Sequence, residues 1–166
     1  MTDYALPEVT DRDVYITRSF DAPIDVVWKF WTQPEYIAQW FGPETVSAPA
    51  ELMDVDPREG GTWNLIMRDD NGDHPITATI TRLVEHEYLE LHMRSDTSVG
   101  FLDNEILRLQ FHDHGEKTRI TLHQGPFTPQ FRDMTRDGWV SSFDKLDTVL
   151  AGGGGAGTAD ETGASA

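Results

Sequence analysis

Between Gly60 and Gly125 the apolar residues keep switching sides at every second position. Trp63, Leu65 and Met67 alternate with Asn64, Ile66 and Arg68, and the same rhythm returns in Ile76-Ala78-Ile80, Leu89-Leu91-Met93, Leu107-Leu109-Phe111 and Thr118-Ile120-Leu122. Period two is what a strand with one buried face requires. Asp70-Asn71-Gly72-Asp73, Glu85-His86-Glu87 and His114-Gly115-Glu116 supply turns of hairpin length, and a loop is expected at Ser95 to Gly100. Connections that short join antiparallel neighbours, because a parallel pair needs a crossover of a dozen residues or more. Asp13 to Phe20, with Val14, Ile16 and Phe20 on one face, adds a strand before this region, and Val46 to Val55 adds an irregular one. The expectation is a curved antiparallel sheet of about seven strands.

Two stretches have the helical period instead. Ile24, Val27, Trp28 and Trp31 share one face just after Asp21-Ala22-Pro23, an N-cap candidate with proline near the first helical position. Thr32-Gln33-Pro34 interrupts this helix, and a second short one runs from Pro34 to about Trp40, closed by Gly42-Pro43. After Gly125-Pro126, a long helix from about Pro129 to Leu150 places Trp139, Phe143, Leu146 and Leu150 on a narrow stripe, with Asp133, Asp137, Asp144 and Asp147 on its polar side. A twisted antiparallel sheet curls into a groove. The long helix lies across that groove, so the predicted class is α+β with a helix-grip arrangement and an apolar cavity between sheet and helix.

The predicted organisation is a loose lead-in over residues 1–12, one domain over 13–151, and a Gly/Ala-rich tail over 152–166 that is too polar to pack. The first residues carry Asp3, Glu8 and Asp11 and no basic or apolar leader pattern. With no cysteine there are no disulfides, thiolate metal sites or cysteine nucleophiles, and a cytoplasmic protein is expected. Twenty-nine acids against thirteen bases leave a net charge of −16, and only two of the acids fall after Leu150. Such a surface repels phosphate, so neither nucleic acid nor an anionic membrane is an expected partner.

Several motifs resemble a known family. Phe20-Asp21-Ala22-Pro23, Val27-Trp28, Trp31-Thr32, Pro34-Glu35 and Trp40-Phe41-Gly42-Pro43 are similar to the opening of the bacterial homologues of the activator of heat-shock-protein-90 ATPase, in the START-like (SRPBCC) superfamily. Gly60-Gly61 before an aromatic strand, and Gly138-Trp139 leading into Phe143, Leu146 and Leu150, extend the resemblance over about residues 12–150. What it implies is a helix-grip fold with a cavity; it does not imply a reaction or a ligand.

The residues expected to line such a cavity are Trp31, Trp40, Trp63, Leu65, Met67, Leu91, Met93, Leu109, Phe111, Trp139 and Phe143. Trp63 on the sheet and Trp139 on the long helix are expected to face each other across it, and Gly138 makes room above. By strand parity Glu105 and Arg18 are the polar groups on the inner face. His92 and His123 should point outward, and His112-Asp113-His114 reads as a solvated turn rather than a metal site. No nucleotide, zinc-protease or serine-hydrolase motif is present. No cofactor or metal is implied. Three function classes remain open: a non-enzymatic binder of a small apolar or amphipathic ligand, which these features favour, a protein-interaction domain like the chaperone activators, and a cyclase- or hydrolase-like enzyme. An apolar lining favours the first, a filled interior the second, and converging polar groups the third.

Overall fold

A computed structural model describes residues 6–43, 45–97 and 100–152, with backbone alone for residues 94–97 and 100–104. The expected tail from residue 153 onward and residues 1–5 of the lead-in lie outside the described residues. The element order is β1 (Val14–Phe20), α1 (Ile24–Thr32), α2 (Pro34–Ile37), a 3₁₀ turn (Ala50–Leu52), β2 (Asp54–Val55), β3 (Trp63–Asp69), β4 (Gly72–Val84), β5 (Tyr88–Thr97), β6 (Gly100–His114), β7 (Lys117–Gly125) and α3 (Pro129–Ala151).

All seven strands form one antiparallel sheet in the order β1-β7-β6-β5-β4-β3-β2. Consecutive strands from β2 to β7 are neighbours, as their short turns require. β1 closes the far edge against β7, and α1 and α2 carry the chain from one edge to the other. Register shifts between Ile80 and Arg82 and between Met93 and Ser95 bend the sheet. The inner face is the apolar one of each alternation: Trp63, Leu65, Ile80, Leu91, Leu109 and Leu122 are all buried. α3 packs on this concave side, which gives the helix-grip arrangement.

Several local features differ from the sequence expectation. Val46 to Val55 is not one strand: Ser47 makes a single bridge to Arg68, the 3₁₀ turn intervenes, and only Asp54–Val55 pairs with β3. The alternation is broken there by Pro49, which has no N–H to offer a ladder. α2 ends at Ile37 rather than near Trp40. Pro23 itself occupies the N-cap of α1, with no side-chain cap, so Asp21 does not play that part. Pairing of β5 with β6 continues to Thr97 and Gly100, leaving a shorter loop than expected, whose residues 98 and 99 lie outside the described residues. Gly61 is where β3 enters the sheet. A Cβ there would lie 2.0 Å from the Asp56 carbonyl oxygen, so only glycine allows this approach while its own carbonyl accepts from the Ile80 N–H.

The lead-in is tied down at its end. The Phe127 N–H donates to the Arg12 carbonyl at 2.8 Å, Arg12 Nε donates back to the Phe127 carbonyl at 3.0 Å, and Arg132 reaches the Asp11 carbonyl at 2.6 Å. These contacts bury His123 against Asp13, 3.3 Å apart, on the outer face of the sheet. His123 therefore has the predicted facing but is not exposed. Asp13 loses solvation, yet hydrogen bonds from Thr10 and the neighbouring His123 bring its carboxyl below the ordinary value.

Candidate functional site

The aromatic centre of the molecule is built by the end of α1. A helix leaves its last carbonyls without intrahelical partners. Here the Trp40 indole N–H donates to the Phe30 carbonyl at 2.8 Å and the Trp63 indole N–H to the Trp31 carbonyl at 2.9 Å. Two of the five tryptophans are thus helix caps as well as core. Trp31 packs between Trp40, Phe143, Trp139 and Phe111, with ring centres 4.8 to 6.4 Å away. Phe41 stands between Trp63 and Trp139, 5.5 Å from one ring centre and 5.7 Å from the other. The two indoles therefore do not face each other across empty space; a phenyl ring fills the gap.

Beside this cluster lies a pocket of about 260 Å³, open on one side, between the N-terminal half of α3 and the sheet. That is just below the roughly 300–1,000 Å³ usual for small-molecule sites. Its helical wall carries Phe131, Met134, Gly138 and Trp139; its sheet wall carries Met67, Ile76 and Met93; and the Phe41–Pro43 loop closes one end. That loop is fixed to α3 by Lys145 Nζ, which donates to the carbonyls of Pro43 and Val46 at 3.2 Å each. Gly138 faces Pro43 with room for a methyl, since a Cβ there would stand in ordinary contact, 3.7 Å from Pro43 Cγ.

Of the residues expected at a cavity, Met67, Met93, Trp139 and Glu105 line this pocket. Trp31, Trp40, Trp63, Leu65, Leu91, Leu109, Phe111 and Phe143 lie behind it in the packed core and form no part of its wall. Arg18 shares the inner face of β1, but its guanidinium turns to the flank of α3, donating to Asp144 at 2.7 Å and to Asp147. It clamps the helix to the sheet and is not a pocket residue. Asp144 and Asp147, expected on the solvated side, are its partners.

The polar end of the pocket is a relay. Trp139 Nε1 donates to Gln124 Oε1 at 2.7 Å, and Gln124 Nε2 donates to Glu105 Oε1 at 2.7 Å. Glu105 is only 4 % exposed, and its Oε2 has no hydrogen-bond partner among the described residues. Burial pushes its carboxyl up to about 7, although the Gln124 hydrogen bond works in the other direction. Sequence reasoning missed Gln124, Phe41, Phe131 and Met134. The signal for Gln124 was present: it extends the inward series Thr118, Ile120, Leu122 by one step, and it stands opposite Leu107 in the β6–β7 register, diagonal to Glu105.

Among the described residues no group of three His, Cys, Asp or Glu side chains could hold a metal ion, and no helix is long and apolar enough to cross a membrane. His112 is half-buried on the outer face, its Nε2 3.4 Å from Thr121 Oγ1. Burial, then the charges of Arg119 and His114, hold it below the ordinary histidine value.

Solved structures share this architecture. The AHSA1 protein from Silicibacter pomeroyi is 20% identical, with a TM-score of 0.73, over 84% of this chain and 97% of that one. A protein from Chromobacterium violaceum is 17% identical with a TM-score of 0.76, over 85% and 98%. A protein from Staphylococcus epidermidis, solved in solution, is 22% identical with a TM-score of 0.72, over 93% and 96%. At such identities the likeness shows the fold alone. No curated protein matches the sequence. Residues 21–151 match the family described as Activator of Hsp90 ATPase homolog 1-like protein, and the chain belongs to that family.

Proposed function

We propose that the chain binds a small apolar or amphipathic molecule in the pocket between α3 and the sheet. The observation that carries this reading is the composition of the pocket wall. Methionine, aromatic and proline side chains surround a space whose buried polar end is the Glu105–Gln124 pair. Apolar walls with a few placed polar groups are the usual form of a small-molecule site. Met67, Met93 and Met134 add unbranched side chains that adapt to more than one ligand shape. The size of the pocket points to a ligand of one or two rings rather than a long-chain lipid.

The test is a titration with methylnaphthalene, a flat apolar probe, followed by tryptophan fluorescence. Trp139 sits on the pocket wall, so a saturable change is expected in the wild type. In Gly138→Leu the new side chain starts beside Pro43 on the pocket wall and takes up space inside the pocket. That variant is expected to lose the saturable change while melting as a folded protein. A wild type with no saturable response overturns the reading and leaves the protein-interaction class ahead.

A further inference from the structure

Resting on that pocket reading, the relay of Trp139, Gln124 and Glu105 says what kind of head group the ligand carries. An indole N–H can only donate. The oxygen of the Gln124 amide must therefore face Trp139, and its nitrogen must face Glu105 Oε1 and the Met93 sulfur, 3.5 Å away. Glu105 Oε1 is then an acceptor whatever the state of the carboxyl, and any proton the carboxyl carries belongs on Oε2. That atom is the unmatched one, in a buried residue on the pocket wall. Native proteins rarely leave a buried carboxyl oxygen without a partner, and such an atom asks for an explanation.

We propose that the pocket takes an alcohol or phenol, whose hydroxyl docks on Glu105 Oε2 while its apolar body lies along α3. A hydroxyl donates to a carboxylate and accepts from a carboxylic acid, so it suits both forms of Glu105. An ammonium group suits only the ionised form, and a ketone only the protonated one. Because burial holds this carboxyl near 7, both forms are present around neutrality. The carboxyl is met by Gln124 from β7, and Gln124 in turn by Met93 from β5 and Trp139 from α3, none of them charged. His74 in β4 is the other titratable side chain on the wall among the described residues, and its Nε2 turns to Asp69 Oδ1 at 3.0 Å. Oε2 is itself covered, so a head group reaches it as neighbouring side chains give way, and Met93, on the pocket wall and opposite Glu105 in the β5–β6 register, is the flexible one placed to do so. The apolar body then extends toward Phe131 and the exposed Met134 at the open side.

The experiment is calorimetric titration of the full chain and of Glu105→Gln at pH 8 with naphthol, methylnaphthalene and acetonaphthone. The first two have nearly the same shape, and the third offers only an acceptor. Wild type is expected to bind naphthol about ten- to a hundred-fold more tightly than methylnaphthalene, the usual range for a hydrogen bond to a charged group. In Glu105→Gln the relay forces the new amide nitrogen into the place of Oε2, where it can only donate. Acetonaphthone, no better than methylnaphthalene on the wild type, should then gain about tenfold. Equal binding of naphthol and methylnaphthalene by the wild type overturns the hydroxyl inference and leaves the pocket reading intact. So does an acetonaphthone affinity that the substitution does not change. Failure of methylnaphthalene to bind the wild type overturns the pocket reading, and this inference falls with it.

Discussion

A glutamate carboxyl ordinarily titrates near 4.5, but in the folded chain Glu105 is pushed up to about 7 by burial. The native state therefore holds a proton that the unfolded state has already released. Stability from this group is fully present below about pH 4.5 and is lost as pH rises through about 7. At roughly 1.4 kcal/mol per pH unit, the alkaline limit of the loss is about 3 kcal/mol. Glutamine at position 105 keeps the hydrogen bond from Gln124 and cannot ionise, so it removes the loss altogether. At pH 5.5 the wild type has already lost about 1 kcal/mol and by pH 8.5 nearly all of the roughly 3 kcal/mol, so the variant's advantage should widen by about 2 kcal/mol. For a domain of this size that is about 4–8 °C in melting temperature. The assay is a set of thermal melts of wild type and Glu105→Gln across that range, compared as differences so that other titrating groups cancel. Parallel pH profiles would show that Glu105 titrates like an exposed carboxyl, and would refute the argument from burial.

Four further outcomes are expected. Trp139→Ala should cost about 3–5 kcal/mol in denaturant unfolding, since the indole, although it forms part of the pocket wall, packs against Trp31, Trp40, Phe41 and Phe143. Trp139→Phe should still cost about 1–3 kcal/mol, because Gln124 Oε1 is left buried without its donor. Gly138→Ala should raise stability by up to about 1 kcal/mol in the same assay, because the added methyl meets no atom closer than 3.7 Å and the helix gains propensity. The net charge of −16 should make thermal stability rise as sodium chloride goes from about 0.1 M to 1 M, where the screening length falls from about 10 Å to 3 Å.

The strands and the long helix were legible because each repeats its own period over many residues. From β3 to β7 every predicted alternation lies on a strand; Glu85-His86-Glu87 falls wholly between two strands, while Gly72 and Asp73 already belong to β4 and His114 still belongs to β6. Val46 to Val55 was misread because its apolar residues are held by tertiary contacts rather than by a ladder. Ala48 is buried under the sheet edge while Ser47 alone bridges to Arg68. The lead-in looked loose because, apart from Arg12 Nε, its anchors are backbone carbonyls. Nothing in the identities of Asp11 and Arg12 announces that Phe127 and Arg132 will seek their main-chain oxygens.

The site separates what one strand can reveal from what needs two. Parity along β6 alone puts Glu105 on the inner face beside Leu107. Parity along β1 puts Arg18 there too, yet the two have opposite fates. Arg18 lies beneath the part of α3 that carries Asp144 and Asp147, so its charge is met by the helix. Glu105 lies where the helix presents Gly138 and Trp139, which bring no charge, so among the described residues its carboxyl is met only by the neutral amide of Gln124. The difference is set by which turn of the helix crosses which strand, and that depends on the crossing itself. The tryptophans were misleading for a related reason. Five indoles in one small domain suggest an aromatic-walled cavity, but two of them cap the end of α1, and Phe41 fills the space between Trp63 and Trp139. With the aromatic volume spent on packing, the open space shifts toward the first turns of α3. There glycine and flexible methionines leave room, and a carboxyl that would be costly in a filled core can persist at its edge.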